Sequence, residues 1–485
     1  MLNTAISRFG TVAIGIVLAR ALGPEQFGTF AVALVALIAV LSLNELGVSL
    51  AIVRWPGDPR RIAATVTTIS FLGSLLFCVA GELAAPAFTE AMGNPQATGV
   101  VRLLLLSVLV DGLVATPAAL LQREFRQKTR MWIDQTNVWT GAIVSLVLAI
   151  AGFGAVSLAI GRIMGSVLSA GLFIRNSPLP FRFGFDRHQL GKLLRFGMPL
   201  AGASLIVFCV GYADQLVAGQ VLGSTMLGFY VLAFNLSGWP VSIFSQPLRN
   251  VAPAAFARLQ HDPPTMQAAM YSIVGLMAAV TLPPFAFLVG SAGSVVRLVY
   301  GEQWAPAAAA LSWLVGVAAL RTFYELSYDY LVVLGHSGSI LTVQVYWLAF
   351  LVPALIAGAH FAGLGGLAIG QFAVAVLVVL PIYLWKLKSA GVKTMEIGSR
   401  VWLPMIVGVG IWILSWVIGQ WIVDPVPALM MAGLPAIAVS GILVYGKRHE
   451  LSSLRRLGTS EESDESLELR ATLRLDSVGE GAVTA

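Results

Sequence analysis

Apolar runs of about 20 residues recur along this chain from the first residue to about 446, separated by short polar stretches, and then stop. A run of that length is what an α-helix needs to cross the roughly 30 Å hydrocarbon core of a bilayer. The pattern predicts about fourteen spanning helices, near 2–21, 28–53, 62–86, 100–121, 132–151, 154–174, 193–221, 226–248, 266–290, 305–334, 339–359, 364–385, 402–421 and 427–446. Barrel strands would instead show segments of about ten residues with alternating polarity. The expected fold class is all-α and polytopic.

Composition agrees. Of 485 residues 57% are hydrophobic and 11% charged, against about 25% charged in a soluble globule, and the mean hydropathy is +0.84. A net charge of +6 invites a nucleic-acid reading. The basic residues sit in short interhelical loops, however, with no basic face interleaved with aromatics, so membrane topology explains them and nucleic acid is not an expected partner. Loops after even-numbered spans carry Arg54, Arg60 and Arg61; Arg123, Arg126, Lys128 and Arg130; Arg175, Arg182, Arg187, Lys192 and Arg195; Arg249 and Arg258; then Lys386, Lys388, Lys393 and Arg400. Odd-side loops offer little beyond Arg20, Arg102 and Arg297. The positive-inside rule places both termini in the cytoplasm. Residues 1–21 resemble a signal-peptide core but are followed by many further spans, and are expected to form a retained first helix. Cys78 and Cys209 lie singly within apolar runs, which reads as packing. From about 451 the chain turns to Ser, Glu, Asp and Arg, including Glu461-Glu-Ser-Asp-Glu465. Such a segment buries too little apolar area to fold and is expected to be a disordered tail.

Within this pattern one phrase occurs twice, two hundred positions apart. Leu22, Gly23, Gly28 and Ala33 match Leu222, Gly223, Gly228 and Ala233, with Phe27 and Phe30 opposite Leu227 and Tyr230. Six spans separate the copies, an even number, so the repeats are parallel. A second echo sets Gly152-Phe-Gly154 with Leu158-Ala-Ile-Gly161 against Gly363-Leu-Gly365 with Leu367-Ala-Ile-Gly370. The expected organisation is a six-helix lobe at 1–174, a cytoplasmic linker at 175–192, a second six-helix lobe at 193–390, an added helix pair at 391–446 and a tail at 447–485.

Several phrases resemble a known family. Leu18-Ala-Arg-Ala-Leu-Gly-Pro-Glu-Gln-Phe-Gly28, Ala119-Leu-Leu-Gln-Arg-Glu-Phe125, Ala213-Asp-Gln215, Pro247-Leu-Arg-Asn-Val251 and Tyr300-Gly-Glu-Gln-Trp-Ala-Pro306 are similar, in kind and order, to those of bacterial polysaccharide flippases. These form the WzxC-like branch of the multidrug/oligosaccharidyl-lipid/polysaccharide (MOP) exporter superfamily. The resemblance covers about residues 1–400 and implies two parallel six-helix bundles plus a C-terminal pair, as in MATE transporters. It further implies a protein of the bacterial inner membrane that flips an undecaprenyl-diphosphate-linked oligosaccharide by alternating access, for lipopolysaccharide or exopolysaccharide synthesis. The second half has a polar lead-in, Phe185-Asp-Arg-His-Gln-Leu-Gly-Lys-Leu-Leu-Arg-Phe-Gly197, while the first has almost nothing ahead of Ser7-Arg-Phe-Gly10. Family members usually carry a lead-in there, so the true start is expected upstream of Met1.

A charge near the bilayer centre costs about 2.5–3.5 kcal/mol on insertion scales, so each such residue needs a reason to be there. The resemblance implies a cleft lined by helices 1, 2, 7 and 8, with cationic residues that meet the carrier's pyrophosphate; arginine offers fixed donors for phosphate. By position, Arg8, Arg54 and Arg249 are the phosphate candidates, although positive-inside anchoring or snorkelling to headgroups competes, more strongly for Arg54 and Arg249 than for Arg8. Asp214 and Glu45 are candidates for coupling or for pairing within the cleft. Asn235, Gln246 and Asn250 are candidates for sugar hydroxyls, or for bonds between helices. Arg321, Glu325 and Asp329 fall at i, i+4 and i+8 on one face; they form either a neutralised pair with a spare carboxylate or a proton or cation site. Arg162 lies within Gly161-x-x-x-Gly165, a close-packing motif.

There is no Walker A loop, no nucleophile set and no metal-ligand spacing, so neither a catalytic residue nor a resident cofactor or metal is expected. A coupling proton or Na+ stays open. Two other functions compete: a cation-coupled small-molecule exporter of the same superfamily, disfavoured by the arginines, and a membrane polysaccharide polymerase or ligase, disfavoured by short odd-side loops. Membrane lipids are expected partners, and a polymerase and glycosyltransferases are candidates.

Overall fold

The computed structural model describes residues 2–44, 48–55, 57–242, 252–335 and 337–447, with side chains described from residue 13 onward except at 48, 188, 194, 196, 199, 200, 203, 254 and 337–341. Glu45, Gln246, Arg249, Asn250 and the acidic tail lie outside the described residues. The helices are α1 (Leu2–Asn44), α2 (Val48–Arg54), α3 (Arg60–Ala91), α4 (Thr98–Arg123), α5 (Gln127–Ile150), α6 (Ala155–Arg175), α7 (Arg187–Val217) and α8 (Ser224–Pro240). They continue as α9 (Ala252–Leu259), α10 (Pro263–Gly290), α11 (Ala292–Tyr300), α12 (Ala307–Val333), α13 (Ser337–Val374), α14 (Leu380–Ser389), α15 (Thr394–Trp421) and α16 (Pro425–Gly446). Eleven described stretches are long and apolar enough to span a membrane. Two of them, Ala13–Asn44 and Thr342–Ser389, hold non-helical breaks at Gly23 and at Ala362 and Gly363, so each covers two expected spans. The eighth expected span is α8, which runs to the edge of the described residues. The all-α, polytopic reading holds.

The breaks carry the repeat in backbone form. Gly23 has φ 71° and ψ 173°, and Gly223 has φ 86° and ψ 171°. An L side chain rarely adopts that region, so each copy of the phrase needs glycine to end one helix and admit the next. The second echo changes register. Gly154 (φ 56°, ψ −139°) matches Gly363 (φ 58°, ψ −136°), not Gly365. That pairing has the spacing that relates Leu158 to Leu367, so the earlier alignment of Gly152 with Gly363 is corrected by two residues. A third echo, invisible as identity, joins Gly93 and Gly301: both have positive φ and lead into single 3₁₀ turns, Pro95–Ala97 and Glu302–Trp304.

By internal contacts the chain forms two compact units. Unit 1 comprises Met1–Phe234, Val296–Ala310 and Leu348–Gln371; unit 2 comprises Asn235–Val295, Leu311–Trp347 and Phe372–Ala485. Their boundaries fall within α8, α11, α12 and α13. In unit 1, Leu37, Leu104, Leu105, Val108 and Ala159 form one buried cluster, and Ile52, Ile62, Val66, Leu120 and Leu193 another. The Gly161-x-x-x-Gly165 motif lets α6 approach α5: a Cβ on Gly161 would stand 2.5 Å from the Gly141 carbonyl oxygen. In unit 2, α10 starts at Asp262, whose carboxylate accepts from the Thr265 amide, with Pro263 in the first turn. It then packs on α15, where a Cβ on Gly290 would stand 2.6 Å from the Trp412 carbonyl oxygen. Large apolar side chains such as Leu83, Leu377 and Ile437 are exposed, as lipid-facing positions are.

Candidate functional site

In unit 1 the two copies of the repeated phrase cross each other. A Cβ on Gly28 would collide with the Ser224 carbonyl, and one on Gly228 would stand 2.9 Å from both the Gly28 Cα and the Pro24 carbonyl oxygen. Positions 24 and 224 are equivalent in the repeat, so each glycine receives the partner copy's helix start. The contact is reciprocal, as two-fold packing demands. Side chains are excluded because the backbones meet.

Two loops buttress this crossing from opposite sides. The loop after α11 serves the first copy. The Trp304 indole N–H donates to the Ala19 carbonyl at 3.2 Å, and the Gln303 amide donates to the Arg20 carbonyl at 3.2 Å. The Arg20 guanidinium in turn donates to the Val299 carbonyl at 2.8 Å and to the Leu298 carbonyl. These carbonyls belong to the last turn of α11, where a cation also meets the negative end of the helix dipole. Trp304 is fully buried, and Phe27 and Phe229 stand edge-on to it with centroids at 5.5 and 5.7 Å. Burial pushes the neighbouring Tyr300 hydroxyl up to about 12, so the aromatic cluster stays neutral.

The loop after α3 serves the second copy. The two N–H groups of the Asn94 amide donate to Thr29 Oγ1 and Ser224 Oγ, each at 3.0 Å, so one side chain spans both copies. A Cβ on Gly93 would lie 3.8 Å from the Gly223 Cα. The loop of one half therefore grips the turn of the other, twice.

One buried polar cluster lies in the same unit. Asp214 Oδ1 accepts from the Gln215 amide at 2.8 Å. The Tyr230 hydroxyl lies 2.8 Å from Asp214 Oδ2 and 2.6 Å from Gln371 Oε1, and Gln371 Nε2 donates to Asp214 Oδ2 at 3.3 Å. All three side chains are buried. Asp214, expected to line an open cleft, is enclosed here by helices α7, α8 and α13, and its partners come from a phrase residue and a distant glutamine that no local spacing connects to it.

The other candidates are dispersed. Arg8 lies on α1 before the described side chains begin. Arg54 is exposed at the end of α2. That end is held by Arg123, which donates to the carbonyls of Ile52 (2.6 Å), Trp55 (2.8 Å) and Gly57 (3.0 Å). Asn235 is exposed on α8 in unit 2. Arg321 and Glu325 pair at 3.0 Å, as the i, i+4 spacing predicts, and Asp329 is half-buried one turn further on. Sequence reasoning missed Arg20 and Asn94 as structural anchors. The available signal was Arg20 itself, a cation on the side of the membrane that otherwise has few.

The model of a family described as "Polysaccharide biosynthesis protein" matches residues 17–309, which holds both copies of the phrase and both loops. The Escherichia coli (strain K12) lipopolysaccharide biosynthesis protein WzxC is 23% identical over 406 residues, covering 83% of this chain and 82% of the relative. The succinoglycan biosynthesis transport protein ExoT of Rhizobium meliloti is 24% identical over 62% of each chain. Among solved structures, the inward closed conformation of the lipid II flippase MurJ superposes with a TM-score of 0.75 at 13% identity, covering 93% of this chain and all of that one. An inward-facing MATE transporter of the MOP superfamily gives 0.61 at 19% identity, covering 80% of this chain and 94% of that one. The fold is thus that of these multi-pass membrane transporters, and the chain belongs to the polysaccharide biosynthesis protein family.

Proposed function

We propose that this protein flips a lipid-linked oligosaccharide, carried on undecaprenyl diphosphate, across the bacterial inner membrane, and that the crossing of the two phrases is its outer gate. The observation that carries the proposal is the reciprocal clasp. Two equivalent helix turns meet glycine to glycine on the face that the charge pattern assigns to the outside, and each is gripped by the other half's loop. Such a seal has two arrangements, gripped and released, as alternating access requires. The relatives' names speak of lipopolysaccharide biosynthesis and succinoglycan biosynthesis transport, and that of one solved neighbour of a lipid II flippase; they support the substrate class. With both termini cytoplasmic, the clasp seals the exterior while the head group enters from the inner leaflet.

On this reading Arg8, Arg54 and Arg249 receive the pyrophosphate, since guanidinium forks match its oxygens at any relevant pH. Asn235, Gln246 and Asn250 meet sugar hydroxyls. Asp214, with Glu45, Glu325 and Asp329 as further candidates, is the carboxylate for a coupling proton or Na+; its burial and its position between two repeat helices let a change of charge bias their packing. The chain performs no covalent chemistry, and a polymerase and glycosyltransferases act before and after it.

The test is flipping of an undecaprenyl-diphosphate oligosaccharide in proteoliposomes. Wild type should flip it, Arg8→Ala and Arg249→Ala should each slow it at least tenfold, and Asp214→Asn should remove its dependence on an ion gradient. Absence of flipping by wild type, together with export of small organic cations, would overturn the proposal.

A further inference from the structure

Unit 2 contains a cavity of about 310 Å³ between α10, α12, α14 and α15, lined by residues that include Met277, Leu320, Phe323, Leu384, Ile397 and Val401. Two of its three threonines spend their hydroxyls on their own helices. The Thr281 hydroxyl donates to its own helix at Met277 O (2.7 Å), and that of Thr322 to Ala319 O (2.7 Å). An apolar hollow of this size, left empty, would deprive all its walls of dispersion contacts. It opens beside Gly398 and Met405, both exposed on α15. At that end the chain from 384 to 405 carries Lys386, Lys388, Lys393 and Arg400 against a single acid, Glu396. Trp385, with Lys386 4.7 Å above its ring, and Trp402 are exposed in the same stretch of chain, and such aromatic side chains are enriched at membrane interfaces.

We infer that this cavity is a binding site for one acyl chain of an anionic glycerophospholipid from the adjoining leaflet, with its phosphate held by Lys388 and Lys393. A dry, apolar, lipid-level hollow under a basic rim is complementary to a molecule that is apolar at one end and anionic at the other. Lys388 and Lys393 are exposed and long enough to keep their stems on apolar surface while the ammonium groups reach a headgroup. The cavity has room for a segment of one lipid chain, and the two lysines at its rim favour a lipid whose headgroup is anionic. The inference stands apart from the transport reading, because it concerns a resident lipid and not the cargo.

The plug variant Gly398→Leu tests it. A Cβ at that position meets nothing within 4 Å, so the larger side chain has room at the cavity mouth and the change favours the helix. The full chain, purified in detergent, is mixed with phosphatidylglycerol, phosphatidylcholine or undecaprenyl phosphate, and bound lipid is read by native mass spectrometry. Wild type should retain phosphatidylglycerol at least fivefold over phosphatidylcholine. Gly398→Leu should lower retention of both at least fivefold. Lys388→Gln with Lys393→Gln should equalise the two lipids without abolishing retention. Undiminished phosphatidylglycerol on Gly398→Leu, a preference unchanged in the double lysine variant, or stronger retention of undecaprenyl phosphate than of phosphatidylglycerol would each overturn the assignment.

Discussion

The two buttresses of the crossing share a backbone and differ in chemistry. Both begin with a positive-φ glycine, Gly93 or Gly301, and both place a short 3₁₀ turn against the opposite half's phrase. At the loop after α11 a buried indole meets edge-on Phe27 and Phe229 of the two phrases, and Arg20 of α1 sets its guanidinium on helix carbonyls. The loop after α3 brings one amide that spans two hydroxyls. Duplication explains the shared geometry, and the difference shows where the repeats were free to diverge. Aromatic burial gives the first corner a large, water-excluding contact, whereas the second rests on neutral hydrogen bonds worth about 0.5–1.5 kcal/mol net each. In an opening clasp the second corner parts first and the first acts as the pivot.

The hardest blow to that asymmetry is Trp304→Ala. It removes a fully buried ring, its two edge contacts and the bond to the Ala19 carbonyl. Truncations of this kind cost about 3–5 kcal/mol. The variant should show a markedly lower thermal midpoint in detergent. Thiol labelling at Thr225→Cys, in a Cys78→Ser and Cys209→Ser background, should also be much faster. Labelling at the wild-type rate would mean that the aromatic corner is not the pivot.

Next in size is alanine at the crossing. Gly28→Ala and Gly228→Ala put a methyl group against backbone, which has no rotamer by which to escape, and overpacking costs about 1–3 kcal/mol. The contact is reciprocal, so the two variants should weaken the closed face to a similar extent, and the double variant should cost less than the sum, because the first insertion already separates the helices. Additive losses would argue that the copies do not meet as one unit.

Much of this fold was legible because the bilayer imposes a length on every apolar run, and a glycine between two runs reports a turn. The phrase at 22–33 and 222–233 marked the helix breaks for the same reason: positive φ selects glycine, and sequence identity follows. What stayed hidden depends on partners distant in the chain. Gly93 and Gly301 share only that residue, since backbone shape rather than side-chain chemistry is retained there. Asp214 stood out as a charge in an apolar run, but Tyr230 and Gln371 became its partners only through folding. Arg20 was legible as an exception to the charge pattern, and the carbonyls of Leu298 and Val299 supply its reason.

Arg20 is the next smaller test. Its guanidinium is exposed, so water replaces much of what is lost, and Arg20→Met should cost about 1 kcal/mol or less. The effect should fall on the end of α11, as faster amide exchange over Val296–Tyr300, with little change around Asn94. Faster exchange at both corners would show that the two are mechanically one.

The smallest effect should come from Asn94→Ala, and it discriminates most sharply between pivot and latch. The variant removes two neutral bonds in which the Thr29 and Ser224 hydroxyl oxygens accept from the Asn94 amide; the Thr29 hydroxyl keeps its own bond, donated to the Glu25 carbonyl at 3.0 Å. Stability should therefore change by only about 0.5 kcal/mol, little in a thermal midpoint. If this corner parts first, the same loss lowers the barrier to opening, and labelling at Thr225→Cys should accelerate severalfold at nearly unchanged stability. A true latch separates rate from stability in this way, because its bonds are broken early in the motion. Faster labelling matched by an equally large loss of stability, as expected for Trp304→Ala, would place Asn94 in the pivot instead and reverse the order in which the two corners release.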